Sequence, residues 1–477
     1  MADIPNDVFF GTIGELSAKL RAKEFSAVEL TRAFCDRLER QGPRYNALAL
    51  SLRDSALRQA RNVDDELKRG RTRGPLQGIP YGVKDLLAVK GNPTTWGARP
   101  FAGQVFDYDA AAVQNLGKAG AILVGKLSMV ELAGGGGYRF ASASLQGPGL
   151  NPWDRTRWSG GSSSGSGAAT AAGLVAFALG SETSGSILTP SAFCGVTGLR
   201  PTYGLVSRRG AMALSWTLDK IGVLGRSAED CGLVLHEIAG KDIEDPGSAS
   251  RSFSYAPQYA RKPQDFTVGY APADFDGWAE PETRGAFAAA LGAVKSLGVK
   301  LKEIELPDFP YGALVEVIIA AEAASIFEDL IRSGRVDELA DKQQIAGLKA
   351  SLDVSATEYL KAMRVRTLVK DAFRELFLSV DVLLAPARLG TANKVSDPLD
   401  VGAPLGGPRP ASRGLTGIIP AGNLAGLPAL SLPCGFAGGL PVAISLVGRP
   451  FYENRMIDLG RAFQSQTDWH RRRPPMT

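Results

Sequence analysis

Two loops rich in glycine and serine hold the densest group of potential nucleophiles in the chain. One spans residues 160–166 and the other spans residues 180–186. Such loops leave backbone N–H groups and hydroxyls accessible, which suits a serine that attacks a carbonyl while N–H groups stabilise the oxyanion. The apolar run between them, residues 168–179, is rich in alanine and does not alternate, so it predicts a buried helix. A flexible linker is the alternative interpretation, but a linker is seldom interrupted by a buried helix.

A serine nucleophile needs a base, and histidine is the residue most often used. The chain has two histidines, His236 and His470. Residues 161–165 match G-x-S-x-G, the nucleophile elbow of α/β-hydrolases, whose histidine comes late in the sequence. We expect His470 to be exposed in a polar tail. His236 lies in a helix-like run, where a structural role in the core or at the surface is commoner than a catalytic role. Neither histidine is therefore well placed for a Ser-His-Asp triad, and a base other than histidine is favoured.

Lys84 is the candidate for that base. It follows the apolar Ile79-Pro80 segment at the predicted carboxyl end of a strand, where open α/β sheets place their active-site groups. A lysine accepts a proton only if burial or neighbouring positive charge lowers its pKa by several units. The alternative interpretation is a surface lysine whose amine extends into water, which is the commoner situation for this residue.

These loops and the lysine segment resemble the amidase signature family. The resemblance rests on a long and specific pattern: GGSSSGS at 160–166, GSETSGSI at 180–187, Pro190, Gly195, GLRPTYG at 198–204 and GIPYGVKD at 78–85. It continues through NPWD at 151–154, LDKIG at 218–222 and NLAGLPA at 423–429. The similarity covers most of the chain and is weak only between about residues 246 and 410.

The resemblance implies a mechanism and a set of site residues. Ser186 would be the nucleophile that forms an acyl-enzyme, and Ser162, fixed by a cis Gly161–Ser162 peptide bond, would relay the proton to Lys84. Backbone N–H groups of Thr183, Ser184, Gly185 and Ser186 would form the oxyanion hole. No metal and no cofactor is expected. Ser163, Ser164 and Ser166 are expected to supply hydrogen bonds within the loops. Asp85 and Glu182 either orient the loops or are solvated.

The chain departs from the family pattern at five positions. Leu188 stands where arginine is common, and Ser164 and Ser184 stand where glycine is common. Ala443 and Ser445 stand where glycine and glutamine are usual. None of these departures removes a proposed catalytic residue, so we expect them to affect the choice of substrate more than the chemistry.

Short apolar strands alternate with helical patterns, which predicts an α/β fold with a mixed β-sheet flanked by helices on both faces. We expect residues 1–477 to form a single amidase domain whose variable, helical segment, about 246–410, shapes the pocket. Predicted helices span residues 26–40, where Ser26 and Glu29 have capping-box spacing, and residues 52–68, 108–119, 313–332 and 356–378. Predicted strands span residues 47–50, 79–83, 121–124 and 382–386, and residues 390–413 are predicted to be a surface loop.

Composition excludes several other classes of protein. A net charge of +5 among 103 charged residues gives no basic surface for nucleic acid. The four cysteines are too sparse for a disulfide framework and are predicted to be reduced core residues. Residues 120–126 nearly match a phosphate-binding loop, but AILV is a buried-strand sequence that cannot wrap phosphates. With no targeting segment and no apolar run long enough to span a membrane, the sequence predicts a cytoplasmic protein.

Three functions are consistent with these residues. The first is a free-standing amidase that acts on a small-molecule amide, and the second is the glutaminase subunit of a tRNA-dependent Asp/Glu amidotransferase, which needs partner subunits. The absence of a basic surface and the weak similarity in the middle segment favour the first over the second. The third is a non-catalytic binding subunit, which the intact Lys84, Ser162 and Ser186 disfavour. The oligomeric state, including a homodimer, stays open. Four charged residues of the variable segment are candidates for binding a substrate carboxylate, with a surface position as the commoner alternative: Arg364, Arg366, Asp381 and Arg388.

If Lys84 is the base, substitution by arginine should be as damaging as substitution by alanine. Arginine keeps the positive charge but stays protonated at any usable pH, so it cannot accept a proton. We expect both variants to lose about 10²–10⁴-fold in kcat/KM for amide hydrolysis. A Lys84→Arg enzyme of near-normal rate would show that the lysine is only structural.

Overall fold

The computed structural model describes residues 4–399 and 412–475, and its central feature is a mixed sheet of eleven strands. The strands described are β1 (Leu48–Ser51), β2 (Pro80–Lys84), β3 (Ile122–Leu127), β4 (Leu150–Asn151), β5 (Asp154–Trp158), β6 (Phe177–Glu182), β7 (Thr197–Arg200), β8 (Lys220–Gly225), β9 (Thr267–Tyr270), β10 (Lys300–Glu303), β11 (Val382–Pro386), β12 (Ala429–Ala437) and β13 (Leu440–Gly448). The order in the large sheet is β1-β3-β2-β6-β8-β7-β12-β13-β11-β9-β10, and β4 and β5 form a separate hairpin. The predicted mixed sheet is confirmed.

Helices pack on this sheet. They are α1 (Ile13–Arg21), α2 (Ala27–Gln41), α3 (Arg53–Lys68), α4 (Ala111–Lys118), α5 (Ser164–Ala171), α6 (Leu188–Cys194), α7 (Ala228–Ile238), α8 (Pro272–Phe275), α9 (Arg284–Ser296), α10 (Tyr311–Ile326), α11 (Glu328–Arg332), α12 (Lys342–Ser351), α13 (Ala356–Leu376), α14 (Ile418–Ala425) and α15 (Glu453–Ser465).

The helices cover both faces, as predicted. On β12, the Leu430 side chain lies against Gly460 of α15. Leu430 is opposite Leu199 of β7, and Leu199 is opposite Val223 of β8, so these three side chains lie on the same face of the sheet. The neighbouring Leu224 points to the opposite face, because side chains alternate along a strand. There it packs in a cluster with Ala171 of α5. The strands are therefore buried on both faces, as their continuous apolar runs require.

Several helix predictions are confirmed with small shifts of their ends. Helix α2 begins after Ser26, whose hydroxyl accepts from the Glu29 N–H while the Glu29 carboxylate accepts from the Ser26 N–H. Helices α3 and α13 match the predicted 52–68 and 356–378 closely, and strand β11 matches 382–386 as predicted. The four cysteines are free and buried, as expected.

The prediction of a single buried helix over residues 168–179 is wrong after Ala171. Helix α5 ends at Ala171, and strand β6 begins at Phe177. Gly173 between them has a φ of +68°, a left-handed conformation that ends a helix and that glycine adopts without strain. Strand β6 lies between β2 and β8, and a strand buried on both faces has no polar alternation that would distinguish it from a buried helix.

Other predictions also need correction. The helix predicted over 313–332 is broken at Phe327, which separates α10 from α11, and the helix predicted from residue 108 begins at Ala111. His470 is buried and not exposed, because the tail after α15 folds back onto the protein. Of the predicted surface loop 390–413, residues 400–411 lie outside the described residues.

The variable segment contributes strands as well as helices. Strand β9 pairs in parallel with both β10 and β11, and β11 pairs with β13. Helices α10–α13 lie between β10 and β11 in the chain. The segment is therefore joined through β11 to the part of the sheet that carries the signature motifs. In residues 4–399 and 412–475, the structure has no helix with the length and apolar character needed to span a membrane.

The sheet order gives a test of the single-domain prediction. Strands β2 and β6 are neighbours, so the segments that carry Lys84 and Ser186 support each other. We expect limited proteolysis to give no pair of separately folded fragments with Lys84 in one and Ser186 in the other. Two such fragments, each keeping its circular dichroism spectrum after purification, would contradict the prediction.

Candidate active site

Lys84 is the last residue of β2, and its side chain is completely buried. The Lys84 Nζ donates to the Ser162 Oγ at 2.7 Å and to the Ser181 Oγ at 3.0 Å. Burial lowers the pKa of Lys84 to about 7, although the carboxylates of Asp219 and Glu182 act in the opposite direction. A substantial fraction of this amine is therefore neutral near neutral pH.

Ser162 is held in a crowded loop just before α5. The Gly161–Ser162 peptide bond is cis, as the resemblance implied. A side chain at residue 161 could not fit, because a Cβ there would lie 2.7 Å from the Trp158 Cζ2 and 2.8 Å from the Val130 Cγ2. Ser162 itself is completely buried.

Ser186 lies in the loop between β6 and α6, next to the Ser162 loop. The Ser163 N–H donates to the Ser186 carbonyl at 3.3 Å, which joins the two loops that the sequence predicted to meet. Gly185 has a φ of +90°, a conformation that favours glycine at the residue before the serine. Within the described part of the chain, the backbone N–H groups of residues 183–186 donate no hydrogen bond. They are available to an oxyanion.

The carboxylate of Glu182 fixes the geometry of the Ser186 loop. Its Oε2 accepts from the N–H groups of Ile187 and Leu188 at 2.9 and 3.0 Å. Its Oε1 accepts from the Arg200 Nη1 at 2.7 Å and from the Asn423 Nδ2 at 2.9 Å. Burial alone would raise the pKa of Glu182, but Arg200 and Lys220 hold it at about 2. Glu182 therefore stays charged and orients the loop, which was one of its two expected roles.

Asp219 supports the same loop from the other side. Its carboxylate accepts from the Thr183 Oγ1 at 2.6 Å and from the N–H groups of Leu214 and Ser215 at 2.7 and 3.0 Å. The sequence interpretation included Asp219 within the LDKIG motif but assigned it no role. Ser181, which accepts from the Lys84 amine, was also missed, because its closeness to Lys84 follows from the pairing of β2 with β6, which local sequence patterns do not contain.

Asp85 and Lys126 form a buried structural pair. Their side chains are 2.8 Å apart, and Asp85 also accepts from the Thr95 N–H at 3.1 Å. Lys126 is the lysine of the near-match to a phosphate-binding loop, and it lies in β3 with no accessible surface. A nucleotide site there is excluded by the strand conformation of the segment.

The other serines of the first loop make internal hydrogen bonds. The Ser163 Oγ donates to the Ser181 carbonyl at 3.2 Å, and the Ser166 Oγ donates to the Leu179 carbonyl at 3.0 Å. Ser164 begins α5 and is buried. Neither histidine is close to forming a triad with them: His236 is exposed on α7, and His470 follows α15.

The charged residues proposed for carboxylate binding have different environments. Arg366 is buried and donates to the carbonyls of Leu424 and Thr217, so it is a structural residue. Asp381 pairs with Arg261 and Arg455. Arg364 is exposed on α13.

Comparisons with known proteins agree with this arrangement. The amidase family model matches residues 29–457. The chain is a member of the amidase family. It is an enzyme of the class that hydrolyses amide C–N bonds, as the motifs predicted.

The relatives of this amidase include amidotransferase subunits, a peptide amidase and an aryl acylamidase. The A subunit of the glutamyl-tRNA(Gln) amidotransferase of Moorella thermoacetica is 38% identical, and the alignment covers 98% of this chain and 99% of the relative. The structure of peptide amidase from Stenotrophomonas maltophilia is 29% identical with a TM-score of 0.83, covering 98% of both chains. A bacterial aryl acylamidase is 22% identical with a TM-score of 0.85, covering 98% of this chain and 100% of that structure, which shows the shared fold.

The lowered pKa of Lys84 predicts the pH dependence of this amidase. Below about pH 7 the amine is protonated and cannot accept a proton, so kcat/KM should fall as the pH drops through the pKa of Lys84. Burial lowers the pKa of His470 to about 4, which is too low to produce a limb near pH 7. The measurement is kcat/KM from pH 5 to 9, with His236→Gln as the control variant. Loss of the acid limb in that control would assign it to the histidine.

Proposed function

We propose that this amidase hydrolyses a carboxylic amide to a carboxylate and ammonia or an amine through an acyl-enzyme on Ser186. The observation that carries the proposal is the hydrogen bond between the buried Lys84 amine and the Ser162 hydroxyl, beside the Ser186 loop. In this proposal a proton passes from Ser186 through the bridging Ser162 to the neutral amine of Lys84. No metal or cofactor is needed for any step of this path.

In the acylation step the Ser186 Oγ attacks the amide carbonyl carbon and gives its proton to the Ser162 Oγ. Ser162 passes its own proton to the neutral Lys84 amine. The C–N bond then breaks, and the leaving nitrogen takes a proton back along the same path. Water attacks the resulting ester, the relay operates again, and the carboxylate leaves with Ser186 restored.

The N–H groups of Thr183, Ser184, Gly185 and Ser186 are proposed to bind the oxyanion in both steps. Support comes from the absence of other acceptors for them in the described residues and from the carboxylates on either side of the loop. Asp219 holds Thr183, and Glu182 holds the two residues that follow Ser186. Donors fixed before the reaction need no reorganisation as charge develops, and each is worth about 10²–10³ in rate.

The relatives favour one of the two amidase roles. Similarity to the A subunits of glutamyl-tRNA(Gln) amidotransferases over nearly the whole chain favours a glutaminase subunit that acts with partner subunits. The fold shared with peptide amidase over 98% of both chains keeps a free-standing amidase as the second candidate. A non-catalytic subunit is disfavoured, because Lys84, Ser162 and Ser186 are all present and placed together. A cytoplasmic location is part of the same proposal.

Ammonia release distinguishes the two roles. The purified chain alone would be incubated with L-glutamine and with a panel of simple aryl and alkyl amides. A glutaminase subunit should favour glutamine and gain rate when partner subunits are added, whereas a free-standing amidase should turn over simple amides at full rate alone.

Covalent labelling identifies the nucleophile. A serine-directed fluorophosphonate should label the wild-type chain, and Ser186→Ala should abolish the labelling. Ser163→Ala is the matched control. The Ser163 hydroxyl is buried and donates a hydrogen bond to the Ser181 carbonyl of β6, so the variant should keep most of the labelling rate. A labelled peptide that contains Ser163 would contradict the assignment.

A further inference from the structure

Arg388 is a cation that the proposed mechanism does not use. It follows strand β11, and its side chain is exposed. Its guanidinium Cζ lies 5.9 Å from the centroid of the Phe193 ring. Within residues 4–399 and 412–475 it makes no hydrogen bond and no ion pair. Arg388 therefore stands in a water-accessible recess with its donors free.

Three aromatic side chains connect this arginine to the catalytic loop. Phe193 is on α6, the helix that follows Ser186, and its ring centroid is 6.2 Å from that of Trp158. The centroid of the Trp158 ring is 6.2 Å from the centroid of the Tyr138 ring. The Tyr138 hydroxyl lies 3.2 Å from the position that a Cβ on Gly161 would take. These four residues extend outward from Gly161, the residue before Ser162. We call them the arginine recess: Tyr138, Trp158, Phe193 and Arg388.

The recess has hydrogen-bond donors without acceptors. The Trp158 Nε1 is buried and has no partner in the described structure. Among the described residues the Tyr138 hydroxyl makes no hydrogen bond either, and its ring is fixed against Gly134, where a Cβ would lie 2.6 Å from the Tyr138 Cε1. A buried donor without an acceptor is costly, and an acceptor group from a ligand would relieve that cost.

Few charges oppose an anion at this place. Among the described residues, the titratable groups that act on Arg388 are Tyr138 and Glu280, and Glu280 is not within ion-pair distance of it. Burial and the neighbouring Glu282 raise the pKa of Glu280, which weakens its competition for the guanidinium. On α6, Leu188 occupies the position where the family commonly has arginine, and it is buried in an apolar cluster. Among the described residues, the cation beside Phe193 of α6 is therefore Arg388 and not a residue of the helix itself.

We infer that the arginine recess binds a carboxylate on the acyl part of the substrate. The planar guanidinium of Arg388 suits bidentate contact with a carboxylate, and the Tyr138 hydroxyl can donate to an oxygen of the same acyl group. The substrate class is then an amide of an acid that carries a second carboxylate, which includes ω-amides of dicarboxylic acids and glutamine. The inference rests on the proposed function, because it assumes that Ser186 is acylated, and it names the substrate class for that site.

The test compares three amides of similar length: glutaramate, L-glutamine and neutral pentanamide. The wild-type enzyme should favour at least one carboxylate-bearing amide over pentanamide by about 10–100-fold in kcat/KM. Arg388→Met should reduce that preference ratio towards one, mainly by raising KM, and Arg388→Lys should keep part of it. Preference for glutamine over glutaramate would indicate that the α-amino group is also recognised.

The control variant is Arg364→Met, which removes an exposed arginine of the same segment and should leave the ratio unchanged. A binding measurement does not depend on turnover. Glutarate should slow fluorophosphonate labelling of the wild-type enzyme. The glutarate concentration needed for the same protection of Arg388→Met should be at least about tenfold higher. Equal kcat/KM for the charged and neutral amides with equal protection in both proteins would overturn the inference. Absence of Ser186 labelling would instead overturn the proposed function, and glutarate binding by calorimetry to the wild-type and Arg388→Met proteins would then test the recess separately.

Discussion

The buried carboxylate of Glu182 is the interaction on which the geometry of the site depends. It accepts four hydrogen bonds, from two N–H groups of the Ser186 loop, from Arg200 on β7 and from Asn423 on α14. Glu182 and Arg200 have no accessible surface, so neither charge could remain there without the other. One carboxylate at the end of β6 therefore joins the Ser186 loop to β7 and to α14, whose Asn423 is 241 positions away in the sequence.

The environment of Lys84 combines two opposing effects. Burial disfavours the charged amine, while Asp219 and Glu182 favour it, and the result is a pKa of about 7. Both carboxylates also hold the Ser186 loop through hydrogen bonds. The same two groups thus shape the loop and limit how far the pKa of the lysine falls. This coupling explains why charged residues surround an amine that the proposed mechanism needs in its neutral form.

The sequence predicted the sheet, the strand that carries Lys84 and the meeting of the two loops, because these follow from local motifs and short apolar runs. It failed for residues 168–179, where burial on both faces of β6 removed the alternation that distinguishes strand from helix. It also failed for His470, because a polar tail gives no local signal that it will pack back on the protein. Partners such as Ser181 and Asp219 depend on strand neighbours, and strand order is a long-range property that local patterns do not contain. The open guanidinium of Arg388 could only be distinguished from the buried one of Arg366 once their contacts were known.

The connection between β10 and β11 has a consequence for how such enzymes diversify. The chain leaves the sheet at β10, forms α10–α13, and returns at β11, and both strands pair with the same neighbour, β9. The two ends of this excursion are thus anchored independently of the helices it contains. Insertions or deletions within the helical part can therefore leave the pairing of β9, β10 and β11 unchanged. The ends of β10 and β11 are accordingly the points at which the helical part could be exchanged for that of a relative, provided that Arg366 of α13 keeps its contacts with Thr217 and Leu424.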